Sequence, residues 1–258
     1  MMNVIEEVRN HTPLIHHLTN QVVMNFTANG LLAFGGAPVM AKAEEEAASM
    51  AFNADGVLIN IGTLTAAEVP AMVHAGKAAN EKGIPVVLDP VGVAATRFRR
   101  RAVEEILQTV KLTAIKGNAA ELANLVDISW EMKGVESRGE GDAEEVAEQV
   151  ARQYNTLAVV TGATDVISNG SRLVKNETGH PLLAKVTGAG CLLGSILTAC
   201  LTTEGIAEMQ ALAAVEFYGL AAEYAAADPG VTGSGTFVPR FIDALSFDFS
   251  QLQRGLQG

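Results

Sequence analysis

What most constrains the fold of this chain is a repeated alternation. Short apolar runs rich in branched residues end in polar or glycine-containing turns, and longer helical stretches separate them. The runs "DGVLINIG" (55–62), "IPVVLDPVG" (84–92), "KLTAIKGN" (111–118) and "NTLAVVTGATD" (155–165) share this form. None alternates strictly between apolar and polar residues, which suits strands covered on both faces. Between them, residues 65–82 carry Val69, Met72, Val73 and Ala79 near helical spacing. Residues 99–110 and 142–153 read the same way, with Asp142 placed to cap the latter. Strand and helix in alternation predict a mainly parallel, doubly wound α/β sheet with helices on both faces.

After about residue 165 the pattern changes. "DVISNGSRLVKNE" reads as a hairpin turning at Asn169-Gly170. Apolar helices follow at 189–202 and 206–227, with a last one near 235–246. No linker, low-complexity tract or internal repeat divides the chain, so one domain over residues 1–258 is expected.

Composition narrows the function. Hydrophobic residues make up 48% and charged residues 18%, enough apolar side chain for a large core. A net charge of −11 lacks the basic footprint that nucleic acid requires. A nucleotide ligand stays possible, because a few local donors and a metal can hold its phosphates. The basic run Arg99-Arg100-Arg101 reads as a solvated helix face. Cys191 and Cys200 stand nine apart with no metal-binding spacing, as in a reducing compartment. The acidic start "MMNVIEEVRN" has no apolar signal region. The charge-free run from Val186 to Thr203 is dotted with Gly, Ser and Thr, and reads as a buried helix, not a membrane span. A cytoplasmic protein with no membrane or nucleic-acid partner is expected.

In open α/β sheets, ligands bind beyond the carboxyl ends of the strands. Asp89 and Pro90 follow one run, Lys116, Gly117, Asn118 and Glu121 the next, and Thr161 and Gly162 another. Each has a plainer reading: Asp89 as a turn cap, and Asn118 with Glu121 as a capping box. The turn Gly188-Ala189-Gly190-Cys191 opens an apolar helix. Four successive backbone N–H groups there make an anion-binding nest strengthened by the helix dipole. The plain alternative is a tight loop of small residues. The turn lacks both the Gly-Lys-Ser/Thr ending of a Walker A loop and the GxGxxG of a dinucleotide fold.

Together "VTGAGC", "KGNAAEL" with its Asn-x-x-Glu, "VVLDPVG" and "VVTGATD" resemble the ribokinase-like superfamily. The segment "PLIHHLTNQVVMNFTANGLLAFGGAPVMA" (13–41) is closely similar to the hydroxyethylthiazole kinases of thiamine salvage, and the resemblance runs over essentially the whole chain. It implies a ribokinase-like fold without a lid domain, and ATP-dependent phosphorylation of the alcohol of 4-methyl-5-(2-hydroxyethyl)thiazole. It also implies Mg²⁺ as cofactor, and a homotrimer with sites between subunits. Carried onto this sequence, Asp89 and Glu121 would hold Mg²⁺ and its waters, and Lys116, Asn118 and Thr161 would serve ATP. Gly188, Ala189, Gly190 and Cys191 would stabilise the transferring phosphoryl group. Met40, Gly188 and Asn25 would contact the thiazole substrate.

Cys191 stands where most ribokinase-like enzymes carry an aspartate base. A helix start lowers a thiol's pKa, while phosphates beside it raise it again. Cys191 is therefore expected to position the substrate hydroxyl and to be at best a weak base, its plain alternative being a small buried residue. His16 and His17 are expected to make structural hydrogen bonds. His11, His74 and His180 show no partner pattern, Cys200 reads as core, and Trp130 says little. Two rivals stand beside this reading: a hydroxymethylpyrimidine kinase, whose loop is typically Gly-Thr-Gly-Cys, and a nucleotide-binding sensor that has lost turnover.

Overall fold

A computed structural model describes residues 2–128 and 140–255. In chain order the first half holds α1 (Met2–His11), β1 (Leu14–Leu18), α2 (Met24–Phe34), β2 (Ala37–Val39), α3 (Glu44–Asn53), β3 (Gly56–Asn60), α4 (Glu68–Lys82), β4 (Val86–Asp89) and α5 (Arg97–Thr109). Then come β5 (Ala114–Asn118), α6 (Ala119–Leu125), α7 (Glu140–Tyr154), β6 (Leu157–Thr161), β7 (Asp165–Ser168) and β8 (Leu173–Asn176). Four helices close the chain: α8 (Ala189–Cys200), α9 (Ala207–Ala227), α10 (Ser234–Leu245) and α11 (Phe249–Gly255).

The eight strands form one sheet in the order β2-β1-β3-β4-β5-β6-β7-β8. Pairing is parallel from β2 through β6 and antiparallel across β6-β7-β8. Helices cover both faces, as the non-alternating runs predict. Ile59, Val86, Leu88 and Ile115 pack with Ala75, Ile106 and Val150 of α4, α5 and α7 on one side. Leu58, Val87 and Val159 pack with α8 and α9 on the other. Residues 191–200 of α8 are all buried. Its Leu192, Ile196 and Leu197 each contribute roughly 1.5–3 kcal/mol by leaving water.

The four runs read as strands are β3 to β6, each within the expected bounds. Two further strands, β1 and β2, lie inside segment 13–41. The pair His16-His17 interrupts the apolar run of β1, yet both rings are fully buried. His16 Nε2 pairs with the carbonyl of Ala41 at 2.7 Å. His17 bonds the Ile15 carbonyl through Nδ1 and the Ser195 hydroxyl through Nε2. These are the structural hydrogen bonds expected of both residues.

Three local readings change. The Asn169 N–H donates to the Arg172 carbonyl, and Gly170 takes φ +87°, so the hairpin turns on Gly170-Ser171. Asn169 flanks that turn, its Oδ1 accepting from the amides of Ser171 and Arg172. Helix α7 has already begun at Glu140, so Asp142 lies within it and not at its cap. The run 99–101 is not one solvated face: Arg99 bonds two backbone carbonyls and Arg100 pairs with Asp127 and Glu104, leaving Arg101 exposed. Trp130 lies outside the described residues. Among those residues, no helix is long and apolar enough to cross a membrane.

Candidate active site

The parallel register sets the site residues side by side. Asn60 pairs with Asp89 across β3 and β4, and Asn118 with Thr161 across β5 and β6. Beyond these carboxyl ends, the start of α8 comes down on the same edge. Lys116, on β5 and only 4% exposed, reaches both elements. Its Nζ lies 3.3 Å from Asp89 Oδ2 and donates to the Gly190 carbonyl at 2.9 Å.

Asp89 is the centre of this group and is 1% exposed. Asn60 Nδ2 donates to its Oδ2 at 2.9 Å, while its Oδ1 is buried with no partner among the described residues. Burial pushes this carboxyl up to about 6, against the pull of Lys116 and with a further push from Glu121. Burial alone would lower the Lys116 ammonium. Asp89, Cys191 and Glu121 outweigh it, and the group stays charged above its ordinary range.

Asn118 and Glu121 do form a capping box at the start of α6. The Glu121 carboxylate also accepts the Gly92 N–H at 2.9 Å, so it ties the loop after β4 to α6. Capping and site formation are here the same set of bonds. Thr161 ends β6 half-buried.

The turn before α8 departs from expectation in one respect. The Ala189 N–H donates to the Val186 carbonyl, which leaves the amides of Gly188, Gly190 and Cys191 without partners among the described residues. Three donors, not four, can face an anion. Gly188 adopts φ +93°, and a Cβ there would lie 2.5 Å from Val23 Cγ1. Only glycine lets the turn sit so close to the start of α2. Tyr218 Oη, fully inside, donates to the Ala189 carbonyl at 2.6 Å and fixes the turn from beneath.

Cys191 is buried at the first turn of α8, and Asn20 Nδ2 donates toward its sulfur at 3.4 Å. Burial and the nearby Asp89 carboxylate raise its thiol, outweighing Lys116 and the two asparagine amides. A thiolate is therefore disfavoured even before any phosphate binds. Cys200 is fully buried core.

Met40 is half-buried just after β2. Asn25 sits on the exposed face of α2 with its Oδ1 taken by Asn29, and among the described residues no hydrogen bond joins it to the Asp89 group. Asn60 and Asn20 belong to the site and were not expected there. Asn20 Nδ2 donates to Asn60 Oδ1 at 2.9 Å as well as toward Cys191. A polar residue closing the run "VLIN" was the available signal for Asn60. Asn20 gave none until β1 was recognised as a strand. A cleft of about 460 Å³ also opens at the opposite edge of the sheet near Lys111 and Glu208, away from the carboxyl ends.

The residues present fit a hard divalent cation. Asp89 offers one unpaired carboxylate oxygen, with Glu121 electrostatically coupled to it. No group of three or more His, Cys, Asp or Glu converges among the described residues. One or two carboxylates, completed by water and phosphate oxygens, is the binding mode of Mg²⁺ and not of a fully protein-caged metal.

A mostly parallel sheet with helices on both faces, and a glycine turn and a buried Lys–Asp pair gathered at its carboxyl edge, make this an α/β protein of ribokinase-like fold. The ribokinase-like protein EF1790 of Enterococcus faecalis superposes with a TM-score of 0.64 at 14% identity, covering all of this chain and 96% of that one. The chain belongs to the hydroxyethylthiazole kinase family, whose model matches residues 5–250. Hydroxyethylthiazole kinase 1 of Oceanobacillus iheyensis is 56% identical over 254 residues, 98% of this chain and 99% of that protein. The structure of a hydroxyethylthiazole kinase protein from Pyrococcus horikoshii matches with a TM-score of 0.88 and 40% identity, over 98% of this chain and 95% of that one.

Proposed function

We propose that this protein transfers the γ-phosphoryl group of ATP to the primary alcohol of 4-methyl-5-(2-hydroxyethyl)thiazole, as a salvage step of thiamine biosynthesis. What supports this most, besides family membership, is one meeting point. Lys116 Nζ, the buried Asp89 carboxylate and the free amides of the 188–191 turn converge at one helix start. Such preorganised donors suit a loose phosphoryl-transfer transition state, where charge spreads over the equatorial oxygens.

In this reading the amides of Gly188, Gly190 and Cys191 hold the transferring group, with Lys116 and Thr161 on the phosphates. Asn118 serves ATP indirectly by holding Glu121 in place. Asp89 and Glu121 hold Mg²⁺, which would neutralise phosphate charge when bound. Met40 lines the thiazole pocket, Gly188 approaches the substrate hydroxyl through its backbone, and Asn25 is the weaker substrate contact. The alcohol oxygen forms the new bond to phosphorus, the bond to the β–γ bridging oxygen breaks, and ADP leaves. The hydroxyl proton departs late, to an oxygen of the transferred phosphoryl group and then to water, so a protonated Cys191 that only orients the hydroxyl suffices. A single kinase domain, working in the cytoplasm as a homotrimer with sites between subunits, completes the reading.

The test is to mix the protein with MgATP and either the hydroxyethylthiazole or hydroxymethylpyrimidine, and to follow product mass. Phosphorylation of the thiazole alcohol is expected. Turnover of the pyrimidine alone would reassign the substrate. ATP binding without turnover of either would make the protein a sensor.

A further inference from the structure

The geometry points to Arg99 as the residue that positions Asp89, a role that rests on the kinase reading above. Arg99 lies in the first turn of α5, its own amide held by Thr96 Oγ1 at 3.2 Å. Its guanidinium donates in two directions: Nη1 to the Val91 carbonyl at 2.5 Å and Nη2 to the Gly62 carbonyl at 2.6 Å. Those carbonyls belong to the loops that follow the adjacent strands β3 and β4.

Both arms of this fork lead to Asp89. On one side, the amide of Gly62 donates to Asn60 Oδ1 at 3.0 Å, and Asn60 Nδ2 donates to Asp89 Oδ2. On the other, the amide of Val91 donates to the Asp89 carbonyl at 2.9 Å. The next residue, Gly92, is clasped from both sides. Its N–H goes to Glu121, and a Cβ on it would lie 3.1 Å from Arg99 Nη1. Gly92 has φ +65°, so the loop bends over the guanidinium in a shape that favours glycine.

Among the described residues Arg99 forms no ion pair, so its donors are spent on these two carbonyls. A planar fork can bind two acceptors at a fixed separation, whereas an ammonium is a single point charge. Arg99 thereby sets the direction of the Asp89 carboxylate without touching a reactant itself. It is a positioning residue.

Arg99→Ala and Arg99→Lys test this in the full-length protein. A misplacement of about 1 Å at the reacting centre costs up to about 100-fold in rate. For Arg99→Ala we expect kcat to fall roughly 10- to 100-fold while KM for the thiazole alcohol changes little. Low, non-denaturing guanidinium should restore part of kcat, and Arg99→Lys should not. Hydrogen exchange of the ligand-free variants should quicken at residues 62 and 91–92 and stay unchanged in α8. Wild-type kcat together with unchanged exchange in those loops would overturn the assignment. So would full activity in Arg99→Lys, which would reduce the role to charge alone. If Arg99→Ala does not fold, Arg99→Lys decides by the same two readouts. Failure of the kinase reading itself would show separately, as an inactive wild type.

Discussion

Lys116 and Asp89 form an ion pair in which both side chains are almost wholly inside, and neither is independent of the other. Removing one partner of such a pair strands the other charge, at a cost of roughly 3–5 kcal/mol. For Lys116→Met the lower end applies, about 3 kcal/mol. Asp89 keeps its bond from Asn60, and its raised pKa lets it take up a proton as an escape. Asp89→Asn leaves the ammonium buried without its counter-charge, with the Gly190 carbonyl and a neutral amide oxygen as acceptors, and costs a similar amount. The double variant removes both charges, and the new amide can still accept from Asn60. Its expected cost is about 1 kcal/mol, that of a few rearranged neutral hydrogen bonds. Urea unfolding of the ligand-free protein, at fixed protein concentration and near-neutral pH, measures all four corners of the cycle. The double variant should be more stable than either single one. Additive losses would refute the coupling and make the contact incidental.

Other outcomes follow from particular residues. Burial lowers His17 to about 4, so the unfolded chain binds its proton first as pH falls. His17's own contribution to stability should therefore fall by about 3 kcal/mol between pH 6.5 and 4. It is read as the difference between wild type and His17→Gln in pH-dependent denaturation, since Asp89, raised to about 6, works in the opposite direction over the same range. Cys191→Ser should keep kcat within about tenfold in steady-state assays. A loss of 10²-fold or more would instead make the thiol a working base. Gly188→Ala forces a left-handed backbone and a Cβ against Val23, and should lower stability by about 1–3 kcal/mol in thermal unfolding.

Strands β3 to β6 could be read directly because a buried parallel strand is a bare apolar run closed by a turn. The edge of the candidate site came with them, since Asp89, Asn118, Glu121 and Thr161 sit at or just beyond those ends and Lys116, in the middle of β5, reaches there with its long side chain. Strand β1 was hidden because its middle is two histidines, and only the fold supplies the Ala41 and Ser195 partners that let them lie inside. Arg99 was misread for a related reason. Next to two more arginines it looks like surface charge, and the Gly62 and Val91 carbonyls that hold it lie 37 and 8 residues away. Local pattern reports which groups end a strand; it does not report which side chains close a network across it.

Helix α8 has no free flank: every residue from Cys191 to Cys200 is enclosed, with β1, β3 and β4 on one side and α2 and α9 on the other. Its first turn, where the phosphoryl group would rest, begins a helix enclosed along its length. Dipoles mounted that way need no rearrangement as charge moves past them. The same rigidity means this wall cannot swing aside to release product.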